Sequence, residues 1–162
     1  MKRDHLFNTE KLKYVSGDTP SVECILCAVR DGDPSVRSLE VARREGFIVS
    51  MNLYPFNPGH LMIFPENHVE SPRELTDAEA LVLHRLLAET LSILEAEFMP
   101  EGFNVGYNLG RFSGASVSHL HLHVVPRYGN EVGFLDVLAG TRLVVVDPAD
   151  ARDRLRKRYE GG

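Results

Sequence analysis

With 162 residues, the chain suits one domain that buries roughly 70% of its unfolded surface. At 43% hydrophobic and 25% charged it has the composition of an ordinary soluble globular protein, and its net charge of −5 argues against a general nucleic-acid binder, which is ordinarily basic. A small anionic ligand stays within reach, because a phosphate site needs only a few local donors.

No apolar run approaches the ~20 residues needed to cross a bilayer. Met1-Lys2-Arg3 runs into Asp4-His5 with no apolar segment behind it, so no secretory leader is expected. Residues 1–20 are polar and without period; they read as an arm that docks on the body or on a partner chain. Residues 21–36 hold Cys24-x-x-Cys27 and the turn signal Asp31-Gly32-Asp33-Pro34. A bridge between cysteines so close would close too small a loop to staple a domain, so reduced thiols and a cytoplasmic location are expected. Gly46 to Leu53 reads as a strand, Tyr54 to Gly59 as a loop, and His60 to Phe64 as a second strand ended by Pro65. Two apolar runs joined by that turn chemistry predict an antiparallel pair.

Thr76-Asp77-Ala78-Glu79 is a capping box, and apolar residues then recur at Leu83, Leu86, Leu87, Leu91, Leu94 and Phe98, the stripe of one long helix. Pro100 and Gly102 end it. Phe103 to Leu109 reads as a strand, Gly110 to Gly114 as a loop, and Ser118 to Tyr128 as a strand of nearly strict alternation. Leu143 to Val146 reads as a short strand. Asp147-Pro148 is an N-cap followed by proline at the first helical position, opening a short exposed helix over Ala151 to Tyr159. Strands in adjacent pairs with one long helix inserted make the class α+β with an antiparallel sheet.

His119-Leu120-His121-Leu122-His123 carries the strongest signal. On a strand, alternate side chains share a face, so the three imidazoles project together while the leucines enter the core. The pattern alone admits a metal site, a polar outer face, or a phosphate site. The flanks favour phosphate. The upstream loop, with Gly110, Ser113, Gly114 and Ser116, can turn backbone amides toward an anion. No Asp or Glu lies between Asn108 and Tyr128, whereas a catalytic metal site ordinarily recruits carboxylates.

The run Gly114–Arg127 resembles the motif of the histidine-triad family, His-φ-His-φ-His-φ-φ with φ apolar. The run Asn52–Pro65 resembles the family's earlier motif, in which a polar residue recurs eight positions before a histidine. The resemblance covers about residues 20–140 and is specific, because both motifs occur in order. Asn52–Met62 and Phe103–Gly110 are most similar to the Fhit-like branch and to bacterial diadenosine tetraphosphate phosphorylases. It implies an antiparallel sheet of about five strands with one long helix and a short C-terminal helix. The implied division is an arm (1–20), a histidine-triad domain (21–146) and a helical tail (147–162). It also implies a homodimer acting on adenine nucleotides; no nucleic acid or membrane is expected as partner, from the net charge and the lack of a long apolar run.

The resemblance further implies roles. His121 matches the nucleophile that attacks an α-phosphorus, with His119 and His123 as the other catalytic histidines; no catalytic metal is required. His60 and His123 line the phosphate site. Asn108 and Ser116 contact the α-phosphate or the bridging oxygen, helped by the amides around Gly114, and Asn52 binds a ribose hydroxyl. Phe47, Ile48 and Leu53 are base-pocket candidates. Ala115 departs from relatives that carry glutamine there; it cannot donate to a leaving oxygen and tilts toward phosphorolysis. Cys24-x-x-Cys27 is half of a four-ligand zinc site, and with His68 and His119 it matches the structural zinc of some relatives. The expected activity is cleavage of dinucleoside polyphosphates or related adenylylated compounds through a nucleotidyl-His121. The alternative is a purine-nucleotide sensor with little turnover.

Overall fold

The computed structural model describes residues 21–110, 112–129 and 146–161. Its elements are α1 (Ile25–Asp31), β1 (Glu40–Arg44), β2 (Phe47–Met51), β3 (Leu61–Pro65), a 3-10 turn (Pro72–Glu74), α2 (Asp77–Phe98), β4 (Gly102–Tyr107), β5 (Leu122–Arg127) and α3 (Pro148–Glu160). The five strands form one sheet in the order β1-β2-β3-β5-β4, every neighbouring pair antiparallel. The α+β class and the expected β2–β3 pairing stand.

The long helix starts as its sequence dictates. The Thr76 hydroxyl accepts from Glu79 N–H, and the Glu79 carboxylate accepts from Thr76 N–H at 2.8 Å. It ends at Met99, which takes the left-handed conformation at φ 49°, one residue before Pro100. Its buried Leu83, Leu86 and Leu94 cover one face of the sheet, built from Phe47, Val49 and Met51 of β2, Leu61 and Ile63 of β3, and Leu122 and Val124 of β5. On the opposite face Ile48 and Phe64 pack against Leu26 of α1. With both faces covered, every residue of β2 is buried.

Besides the 3-10 turn, two elements are additional to those predicted. β1 joins β2 through Glu45-Gly46, both at positive φ (45° and 83°), the geometry of a type I′ hairpin turn. α1 is two turns long, its N-cap Cys24 makes no side-chain cap, and Gly32 closes it at φ 69°. The C-terminal helix corrects an expectation of exposure: Ala151, Leu155 and Tyr159 lie in the main core, and Tyr159 Oη meets Thr90 Oγ1 of α2 at 2.6 Å. A charged composition concealed one apolar stripe at helical spacing. The expected arm over 1–20 and the strand residues 143–145 lie outside the described residues. Among those described, no helix is long and apolar enough to cross a membrane.

The loop between β2 and β3 is clamped to β5. Asn57, almost fully buried, donates from Nδ2 to Pro126 O at 2.7 Å, and Tyr128 Oη donates to Pro58 O at 3.0 Å. Gly59 sits at φ +80°, where a Cβ would meet Phe98 at 3.1 Å, Pro126 at 3.2 Å and Leu94 at 3.3 Å. Left-handed backbone and crowding each cost an alanine there about 1–2 kcal/mol. Gly59→Ala is therefore expected to lower Tm by roughly 5–15 °C in a thermal melt; an unchanged Tm would mean that the loop yields freely.

Candidate active site and metal centre

The strand predicted from Ser118 begins only at Leu122, so of the three motif histidines His123 alone stands on the ladder. His119 and His121 lie on the extended segment before it, where Leu120 N–H donates to Val69 O at 2.7 Å. The alternation rule therefore does not govern them, and the three imidazoles divide between two clusters.

One cluster gathers His60, His121 and His123 with Asn52 and Asn108. Asn52 ends β2's run and accepts at Oδ1 from Tyr54 N–H at 2.9 Å, while its N–H donates to His60 O across the β2–β3 end. His60 is fully buried in the clamped loop. Its Nδ1 accepts from Phe56 N–H at 3.1 Å, so the neutral ring carries its proton on Nε2, which donates to His123 Nδ1 at 3.0 Å. That leaves the His123 proton on Nε2, which lies 3.4 Å from Asn108 Nδ2. The relay from Phe56 N–H through two rings points a single N–H into the site.

His121 is oriented separately. Its Nδ1–H donates to His119 O at 2.7 Å, which leaves Nε2 as an unprotonated lone pair. Its ring centroid lies 4.8 Å from that of His123 at an interplanar angle of 77°. The result is a nitrogen lone pair beside the His123 Nε2–H, an arrangement suited to attack on a phosphorus bearing anionic oxygens. Gly114, at φ +87°, and Ser116 lie exposed in the preceding loop, where Ser113 Oγ donates to Gly110 O at 2.8 Å.

The second cluster joins Cys24, Cys27, His68 and His119, whose ligand atoms all lie within 4.8 Å of one another. His119 donates from Nε2 to Pro65 O at 2.9 Å, turning Nδ1 toward the Cys24 and Cys27 sulfurs at 3.5 Å each. His68 Nδ1 lies 3.3 Å from Cys27 Sγ. A tetrahedral ion holding sulfur at ~2.3 Å and imidazole nitrogen at ~2.0–2.1 Å spaces such ligands roughly 3.5 Å apart, so the four residues fit zinc. Burial, then the neighbouring Cys24, pushes the Cys27 thiol up to about 11 in the absence of a cation, and a bound cation would displace that proton. The four residues can hold a metal ion.

Two base-pocket candidates are corrected. Phe47 faces the main core beneath the helices and Ile48 packs against Leu26 and Phe64, both with essentially no exposure. Leu53 is half-buried against the core. Reasoning from sequence also missed Phe56, whose ring stacks on His60 at 5.0 Å and 19° and whose N–H fixes that histidine's tautomer. The Pro65 carbonyl was missed as well. Backbone donors and acceptors leave no trace in residue identity.

A family model described as the HIT domain matches residues 35–130. The chain belongs to the histidine-triad (HIT) family. It is 40% identical over 107 residues to a Mycobacterium tuberculosis protein named AP-4-A phosphorylase, a match covering 65% of this chain and 55% of that protein. The chain thus spans about half the length of that relative. It is 32% identical over 111 residues to the Bacillus subtilis protein named Protein hit, covering 68% of this chain and 75% of that one. A crystal structure of a Zn-bound histidine triad family protein from Mycobacterium smegmatis superposes with a TM-score of 0.71 at 23% identity, covering 88% of this chain and 96% of that chain. That likeness shows the HIT fold. Cys24 and Cys27 precede the matched HIT segment, whereas His68 and His119 lie inside it.

Burial, then His123 and His121, hold the His60 pKa down to about 3, so the folded HIT protein keeps this ring neutral. The unfolded chain protonates it below ~6.5. The unfolded state then binds more protons, so this contribution is intact above ~6.5 and is lost as pH falls toward 3, at up to ~1.4 kcal/mol per pH unit. His60→Asn is expected to flatten the fall of Tm between pH 6.5 and 4. Parallel Tm–pH curves for the two proteins would show that His60 does not carry the effect.

Proposed function

We propose that this HIT protein cleaves dinucleoside polyphosphates such as diadenosine tetraphosphate, with His121 as a covalent nucleophile. The observation that carries the reading is the His121 Nδ1–H bond to His119 O, which leaves Nε2 as the attacking lone pair. Nε2 forms a bond to the α-phosphorus as the bond from phosphorus to the bridging oxygen breaks, and ATP leaves from the tetraphosphate. A nucleoside triphosphate departs as a stable anion and needs no acid at the bridging oxygen, consistent with alanine at position 115. The His123 Nε2–H, backed by His60, serves the non-bridging oxygens as charge grows there. Asn52, Asn108, Gly114 and Ser116 bind the sugar and phosphate, and His119 holds the nucleophile. In the second step an oxygen of inorganic phosphate attacks the same phosphorus, the bond from phosphorus to His121 breaks, and ADP forms. Water in that place gives AMP.

Phosphorolysis is favoured over hydrolysis by Ala115 and by the 40% identity to a protein named AP-4-A phosphorylase. Zinc at Cys24, Cys27, His68 and His119 is a structural ion in this reading, because four protein ligands leave no open position. The Zn-bound relative from M. smegmatis supports it. The outer edge of β4, with Val105 exposed on it and Leu109 exposed just after it, suits the second copy of a homodimer.

Incubation with diadenosine tetraphosphate and phosphate is expected to yield ADP plus ATP. AMP plus ATP would assign hydrolysis, and unchanged substrate would sink the enzyme reading. His121→Ala is expected to reduce turnover by at least ~10³-fold while nucleotide binding, read by calorimetry, persists.

A further inference from the structure

His119 takes part in both clusters through different atoms. Its ring faces the metal centre, whereas its carbonyl oxygen receives the Nδ1–H of His121. We infer that the metal centre is a positioning device for the nucleophile, acting through the His119 main chain to keep the His121 lone pair on Nε2. The inference rests on the proposed role of His121 and adds to it what holds that residue in place.

The local backbone gives the coupling a path. The ladder between β3 and β5 ends at Ile63↔Leu122, so residues 119–121 have no continuous strand partner on that side. The Leu120 N–H bond to Val69 O supports the segment at one point. A further anchor is the His119 ring, donating to Pro65 O through Nε2 and facing both thiols through Nδ1. Val69 O itself follows directly on His68, a further member of the metal cluster. The supports of the His119 carbonyl thus run through Pro65, His68, Cys24 and Cys27. An imidazole with both nitrogens engaged cannot swing, and a held ring restrains the backbone of its own residue, from which the carbonyl projects. Without an ion, His119 Nδ1 is held through the two sulfurs 3.5 Å away, and hydrogen bonds involving sulfur are weak. The carbonyl then wanders, and the His121 proton can move to Nε2, where it blocks attack.

A structural ion that only held α1 in place would change stability without selectively changing the proton position on His121. The test therefore reads that proton. The full chain is labelled with ¹⁵N at histidine, stripped with a chelator, and reloaded with zinc alone. With zinc, His121 should show the tautomer protonated at Nδ1; without it, that signal should broaden or give way to the Nε2–H form, while far-UV circular dichroism stays the same. In parallel, kcat with diadenosine tetraphosphate and phosphate should fall about tenfold on stripping, with KM nearly unchanged, and recover on reloading. Cys27→His, which retains four ligands, should keep the zinc-loaded tautomer, whereas Cys27→Ala should reproduce the stripped spectrum. An identical His121 spectrum with and without zinc overturns the inference. So does failure to bind zinc, or global loss of structure on stripping, which would make the ion a requirement of folding. Absent turnover in the zinc-loaded protein with the tautomer change intact would instead refute the proposed reaction and leave the coupling standing.

Discussion

The hydrogen bond from His121 Nδ1 to the His119 carbonyl, 2.7 Å long, is the constraint on which the rest of the site depends. Imidazole is useful as a nucleophile only when one particular nitrogen carries the lone pair, and a neutral ring in water divides its proton between both. A fixed acceptor removes that freedom. The acceptor lies on a stretch of chain lacking a full sheet partner, so the fold must hold it by other means. Much of the surrounding architecture, from the cysteine-bearing helix α1 to the β3 terminus at Pro65, can be understood as supplying them.

The partner cluster follows the same logic with opposite polarity. Phe56 N–H, His60 and His123 form a row in which each donor dictates the proton position of the next. Burial keeps His60 uncharged, so the row presents dipoles whose direction does not change near neutral pH. No carboxylate occurs from Asn108 to Tyr128, which spares the site a negative field that would repel an anion.

Much of this was legible in the residues themselves. The capping box at Thr76 and Glu79, the leucine stripe behind it, and the β2–β3 pair appear where local chemistry dictates. The two histidine motifs named the family. Other features required tertiary information. β1 carries a period-2 pattern, with Leu39 and Val41 inward, but its turn is Glu-Gly instead of the stronger Asn-Gly signal. α1 has no cap to announce it. The histidine run read as part of a strand from Ser118 to Tyr128 because alternation is indifferent to whether a partner lies alongside; the ladder stops at Leu122, and that limit let His119 and His121 serve different clusters.

The C-terminal helix lies beyond the segment 35–130 that defines the family match, yet it bears on the site. Arg154 and Arg158 grip Glu97 near the end of α2, and the Arg154 guanidinium lies 5.2 Å from the centre of the Phe98 ring. Phe98 in turn packs against Gly59, immediately before His60. The tail is thus a buttress two contacts removed from the buried His60 imidazole. A shortened chain could retain every recognisable motif and still lose the wall against which the His60 loop is set.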